Sequence, residues 1–128
     1  MVRWRGTVVV TGLYDHTDLD SAPPRSARDL PGADIVGDWI ATTLKAADGR
    51  VRLARLGEAS PSWRTCRDAA AAEGGQQVER VQAGDVLCAL TSDGRVALLR
   101  VVAATQLTSP PQVRMKVTVW DPPAAPGT

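Results

Sequence analysis

The stretch Gly84-Asp85-Val86-Leu87-Cys88-Ala89-Leu90-Thr91-Ser92-Asp93-Gly94-Arg95-Val96-Ala97-Leu98-Leu99-Arg100-Val101-Val102 decides the fold. Two runs rich in Val and Leu flank Ser92-Asp93-Gly94. Asp and Gly reach the positive φ values that a tight turn needs, so the pattern predicts a β-hairpin. The second arm, Val96 to Ala104, is apolar on both faces, which predicts a strand covered from both sides. A chain built around such a hairpin is a small β domain.

Outward from the hairpin, the same periodicity recurs. Near the C-terminus, Val113, Met115, Val117 and Val119 alternate with Arg114, Lys116 and Thr118, which predicts a strand with one buried face. At the N-terminus, Trp4, Val8 and Val10 share one face while Arg5, Thr7 and Thr11 share the other. Residues 34–46 read as a further strand region, with Gly37 marking a bulge or break. The Asp48-Gly49 turn then leads into Val51–Leu56, predicting a second hairpin with one wet face. Val78–Val81 reads as a short strand.

A single helix is expected near residues 61–73. Ser60 suits the N-cap, Pro61 the first helical position and Gly74 the position just past the end. Trp63, Cys66 and Ala70 fall on one stripe at helical spacing. Residues 15–33 carry the chemistry of a long loop, with Asp15, Asp18, Asp20, Pro23 and Pro24. Thr108-Ser109-Pro110-Pro111 predicts a turn. Together these features predict an all-β fold, a mainly antiparallel sandwich or small barrel of about seven strands, with one short helix. One domain spans residues 1–121, and residues 122–128 form a Pro/Ala/Gly-rich tail or linker.

Composition narrows the function classes. The 128 residues are 44% hydrophobic and 23% charged with a net charge of +1, ordinary values for a globular domain. A nucleic-acid binder would carry a basic excess or stripe, so no nucleic-acid partner is expected. No run approaches the ~18 apolar residues of a membrane-crossing helix, so no membrane insertion by this segment is expected. Met1–Gly6 lacks the apolar region and cleavage site of a signal peptide, so the chain reads as cytoplasmic or as a piece of a longer protein. Phe and Asn are absent and Arg far outnumbers Lys, a bias that fits a GC-rich genome. Trp4, Trp39, Trp63, Trp120 and Tyr14 must then supply the bulky core pieces; alternatively, an exposed Trp4, Trp39 or Trp63 stacks on sugars.

The two cysteines, Cys66 and Cys88, either pair or stay as buried thiols. Paired, they pin the helix to the central hairpin, and loop-closure entropy makes that bond worth roughly 3 kcal/mol. Neither a Cys-x-x-Cys redox motif nor a tetrahedral metal set is present. The candidate metal ligands are Asp15, Asp18 and Asp20, hard oxygen donors close together as Ca²⁺ prefers, although the spacing is not that of an EF-hand. Their default role is to cap turns. His16 beside them is a conceivable general base, but no nucleophile elbow, P-loop or glycine-rich dinucleotide turn accompanies it. Arg50, Arg52 and Arg55 offer a basic strand face to an acidic partner, with a solvated face as the default.

The order of motifs resembles an uncharacterised all-β domain of high-GC Gram-positive bacteria. Such domains occur in secreted or membrane-anchored proteins and beside signalling modules such as serine/threonine kinases. The likeness rests on Asp18–Pro24, on Trp63 and Cys66 ahead of a short helix, on Gly84–Cys88, on Thr91–Val101 and on Val117–Trp120. It implies a β-sandwich, a Cys66–Cys88 disulfide and a location outside the cytoplasm. It brings no activity, cofactor or catalytic residue. The expected role is therefore a non-enzymatic binding or sensory accessory domain that meets a protein partner or other domains of a larger chain, with the loop at residues 15–33 as its contact surface. The alternatives are a structural subunit packing against itself or a larger protein, and a small enzyme or Ca²⁺-binding module using the acidic loop.

Overall fold

The computed structural model describes residues 2–11, 13–28, 30–38, 43–58, 60–105 and 112–122. Trp39, the turn at Thr108–Pro111 and the tail from Pro123 onward lie outside the described residues. Among the described residues, ten strands and one helix follow in the order β1 (Val2–Thr11), β2 (Leu13–Asp18), β3 (Arg25–Ala27), β4 (Ile35–Asp38), β5 (Thr43–Ala46), β6 (Arg52–Leu56), α1 (Trp63–Glu73), β7 (Gln77–Val78), β8 (Val86–Leu90), β9 (Val96–Thr105) and β10 (Gln112–Trp120).

The strands form two five-stranded antiparallel sheets, ordered β1-β10-β9-β8-β6 and β3-β2-β4-β5-β7. The fold is an all-β sandwich with one short helix, as the alternation predicts. The central hairpin forms with Leu90 opposite Val96 and Leu87 opposite Leu99. Gly94 takes a φ of 83°, the left-handed value that a side chain would strain. The inward side of β10, Val113, Met115, Val117 and Val119, is buried, while Arg114 and Lys116 are exposed. Opposite them, Ala97, Leu99, Val101 and Ala104 of β9 face the same core. A bulge at Val102 makes this possible: Met115 pairs with Val101 and Arg114 with Ala103, so the extra residue turns outward, 46% exposed.

The second sheet contributes Leu19, Ile35, Leu44 and Val78 to that core. Gly37 lets the two sheets approach each other. A Cβ there would collide with the Thr11 carbonyl oxygen and stand 2.8 Å from Val10 Cγ1. At the other face of the first sheet, α1 packs on β8, β6 and β9 through Cys66 and Ala70, against Val86, Cys88, Val96 and Leu98. β9 is thus covered on both sides along its first half, where Val96, Ala97, Leu98 and Leu99 are all apolar and buried.

Four expectations are corrected. Residues 15–33 are not one loop: β2 and β3 lie within them, and Thr17 is fully buried. Residues 34–46 are not one strand, since β4 and β5 pair antiparallel with each other. Asp48-Gly49 does not close a hairpin. It carries the chain from β5 in one sheet to β6 in the other, where β6 pairs with β8. A turn signal reports a reversal of direction, and a sandwich corner reverses direction as a hairpin does. The helix cap also shifts by two residues in the Ser-Pro-Ser sequence. Ser62, not Ser60, is the N-cap, and its hydroxyl accepts from the Thr65 N–H at 3.2 Å.

Candidate functional site

Two features deserve the name of candidate: a buried acidic junction and an exposed basic groove. The junction forms where the end of β2 meets the turn between β8 and β9. Asp18 closes a local turn by accepting from the Asp20 N–H at 2.9 Å. Asp20 accepts from Thr91 Oγ1 at 2.7 Å and from Arg95 Nη1 at 3.1 Å. Asp34, just before β4, has no exposed surface. Its Oδ2 accepts from the Leu19 N–H at 2.7 Å, and its Oδ1 from the Ser92 N–H at 2.8 Å and the Ser92 hydroxyl at 3.0 Å. Arg95 completes the network by donating to Asp121 at 2.8 Å.

One carboxylate oxygen from each of Asp18, Asp20 and Asp34 lies within 4.8 Å of the others. Of the expected set Asp15, Asp18 and Asp20, the structure brings Asp18 and Asp20 together. Asp15 stands apart and accepts from Thr11 Oγ1 at 2.8 Å. Asp34 replaces it. Sequence reading missed Asp34 because it opens the apolar run Ile35-Val36, and a carboxylate at the head of a buried strand has no motif.

Burial pushes the Asp34 carboxyl up to about 6, and the Asp20 charge adds to that, while the bonds from Ser92 and Leu19 pull the other way. The cluster carries its own cation in the Arg95 guanidinium, whose proton affinity is raised by the bond to Asp121 and by Asp20. A general acid–base must reach a substrate atom. Asp34 does not reach the surface, and its oxygens are occupied by donors of its own chain. What the geometry does is tie the two sheets together at the hairpin tip. His16 sits elsewhere, on β2 opposite Ala27 and Val36.

The remaining sequence candidates also find local roles. Arg50 grips Asp48 through Nε at 3.2 Å and Nη2 at 3.0 Å, Arg52 donates to the Gly49 carbonyl at 2.7 Å, and Arg55 donates to the Glu79 carbonyl at 2.6 Å. Arg55 also pairs with Asp85 at 3.5 Å. Cys66 and Cys88 are disulfide-bonded, with Cα atoms 5.2 Å apart. Trp4 packs against the main core and lies over Gly6, where a Cβ would meet its ring at 2.5 Å. Trp63 packs beside the disulfide cluster with the Arg67 guanidinium 4.8 Å above its ring.

The groove lies on the outer face of the first sheet, beside α1. It has a volume of about 470 Å³. Leu98, Pro61 and Trp120 supply apolar wall, and Arg5, Arg100 and Lys116 supply positive charge. Among the described residues, none lining it is acidic. Registry makes the charge pattern unusual: Arg100 and Lys116 are direct cross-strand partners. Like charges set opposite one another in a sheet are destabilising. Hydroxyls hold the arginines in place, with Arg100 Nη2 donating to Ser60 Oγ at 2.7 Å and Arg5 Nε to Thr118 Oγ1 at 3.4 Å. Among the described residues, no ion pair involves Arg5, Arg100 or Lys116. The signal in the sequence was the wet side of β10, but its juxtaposition with Arg100 depends on a registry that a bulge sets. No protein family, curated protein or solved structure matches the chain.

Proposed function

We propose that this domain is a non-enzymatic binding module, an accessory part of a larger protein that works outside the cytoplasm, and that its contact surface is the groove between α1 and β1. The observation that carries this reading is the cross-strand pair Arg100–Lys116 in a groove without a carboxylate. A fold gains nothing from such a pair, whereas a ligand that neutralises it gains two charge-assisted contacts. The groove is also within the size range of small-ligand and side-chain pockets. The disulfide supports the compartment, since such bonds persist in oxidising surroundings, and so does the likeness to secreted and signalling-associated domains. The segment at residues 15–33 is a weaker contact surface, because Asp18 and Asp20 are held to the chain's own turn and guanidinium.

A two-dimensional ¹⁵N NMR screen with a chemically mixed fragment library tests the reading. Shifts should cluster at Leu98, Arg100, Lys116, Thr118 and Trp120. Fragments that perturb only the tip near Ser92, or no single region, overturn it. A second reading has its own support: β1 is ten residues long and forms an edge of its sheet. On that reading the chain assembles through β1, and sedimentation velocity would show a dimer that grows with concentration.

A further inference from the structure

Resting on the groove as the contact surface, we infer that its occupant is an extended acidic peptide segment with the pattern acidic-x-acidic-x-apolar. The polarity of the groove runs in one direction. Along β10, Lys116, Thr118 and Trp120 point to the same outer face, from cationic to aromatic. On β9 the parallel column is Arg100 then Leu98, and on β1 it is Thr7 then Arg5. The row Thr7–Lys116–Arg100 therefore holds two adjacent cations, and the next row, Arg5–Thr118–Leu98, runs from a third cation to apolar surface.

Two features favour a chain over a single small anion. Cross-strand neighbours stand about 5 Å apart, so three strands spread the cations over roughly 10 Å, more than one carboxylate spans. In an extended peptide, side chains two residues apart share a face and lie about 7 Å apart. Two acidic side chains at that spacing reach both rows, and the next side chain on the same face lies one row further along β10, at Trp120. The absence of any lining carboxylate supplies the charge complementarity, and the open sheet face leaves room for a backbone to lie across it.

The test uses a blocked peptide, acetyl-Glu-Ser-Glu-Ser-Leu-Ser-amide, titrated into ¹⁵N-labelled protein at low salt. Saturable shifts are expected at Lys116, Thr118 and Leu98 and at the Trp120 indole. The Gln-Ser-Gln-Ser-Leu-Ser analogue should bind at least about tenfold more weakly, and 0.3 M salt should weaken the parent peptide severalfold by screening. The double variant Arg100→Gln/Lys116→Gln should lose at least about tenfold in affinity while the remaining amides keep their positions, since removing a like-charged pair does not unfold a sheet. Equal binding of the uncharged analogue overturns the inference. So does inorganic phosphate binding as tightly as the peptide, which would mark a bare anion site, or anionic phosphatidylglycerol vesicles displacing the peptide, which would mark a membrane surface. If fragments occupy the groove but this peptide does not, only the peptide is refuted; if no probe shifts the groove, the contact surface itself is.

Discussion

Asp34 gives the sharpest quantitative expectation. Its carboxyl is pushed to about 6 from an ordinary 3.8 because it is buried and faces Asp20. A carboxyl that holds its proton to higher pH in the folded state stabilises the fold fully below the unfolded value of 3.8, and that contribution is lost as pH rises through about 6. At 1.36 kcal/mol per unit, the whole effect is about 3 kcal/mol, of which about 2 kcal/mol falls between pH 4.5 and 7.5. Asp48 and Asp121, held low by Arg50 and Arg95, run the opposite way. Their contribution is lost only below about pH 4, outside that window. The perturbation is Asp34→Asn. It removes the titration and also sets an amide N–H₂ against one of the three donors that Asp34 accepts, a pH-independent cost of about 1–3 kcal/mol. Urea denaturation of both proteins across the window separates the two effects. The penalty of Asp34→Asn should be about 2 kcal/mol larger at pH 4.5 than at 7.5. Parallel stability curves for the two proteins would refute the assignment, as would a ¹³C carboxyl titration of Asp34 with a midpoint near the ordinary value.

Other perturbations probe the scaffold separately. The disulfide closes a span of 22 residues. By loop-closure entropy, Cys66→Ala/Cys88→Ala should cost about 3 kcal/mol, read as the drop in denaturation free energy; a loss below about 1 kcal/mol would mean that the unfolded chain is already compact there. Gly37→Ala forces a Cβ onto the Thr11 carbonyl and should destabilise by roughly 2–3 kcal/mol, visible as a lower urea midpoint at unchanged slope. Arg95→Gln removes the cation between Asp20 and Asp121 and should cost roughly 2 kcal/mol. It should also raise the Asp34 midpoint in the ¹³C titration, because the Asp20 charge then acts on it uncompensated; an unchanged midpoint would uncouple the two carboxyls.

What the sequence made legible was local. The Ser92-Asp93-Gly94 turn, the alternation from Val113 to Val119 and the Trp63–Cys66–Ala70 stripe each express their geometry within a few residues, and each forms as expected. The errors share one cause, which is that partner choice is non-local. β5 and β6 flank a normal turn signal, yet they belong to different sheets because β6 completes the first sheet beside β8. β2 was hidden because Asp15, His16 and Asp18 are polar; among residues 15–18 only Thr17 is buried, where Ile35 stands opposite. The acidic junction was half visible: Asp18 and Asp20 are neighbours in sequence, whereas Asp34 arrives through β4 and two of its three donors through Ser92, 58 residues away.

The two faces of the first sheet explain why the groove is where it is. Its inner face is filled by the second sheet, so recognition there would require opening the core. Its outer face is wider than one 11-residue helix can cover. α1 sits over β8, β6 and the start of β9, leaving the β1–β10 half bare. The boundary between covered and bare sheet is where apolar wall and cationic floor meet, at Leu98, Pro61 and Trp120 on one side and Arg100 and Lys116 on the other. Ser60, just before the helix, holds Arg100 through its hydroxyl, and Cys66 within the helix is bonded to Cys88 on β8. The covalent staple therefore fixes the helix that forms one wall of the groove, while the near-zero net charge of the chain conceals the separation underneath. Acids gather at the hairpin tip, where Arg95 pairs with Asp20, Asp93 and Asp121, whereas among the described residues the cations on the open face have no such partner. That asymmetry is the ground for proposing the open face, and not the hairpin tip, as the contact surface.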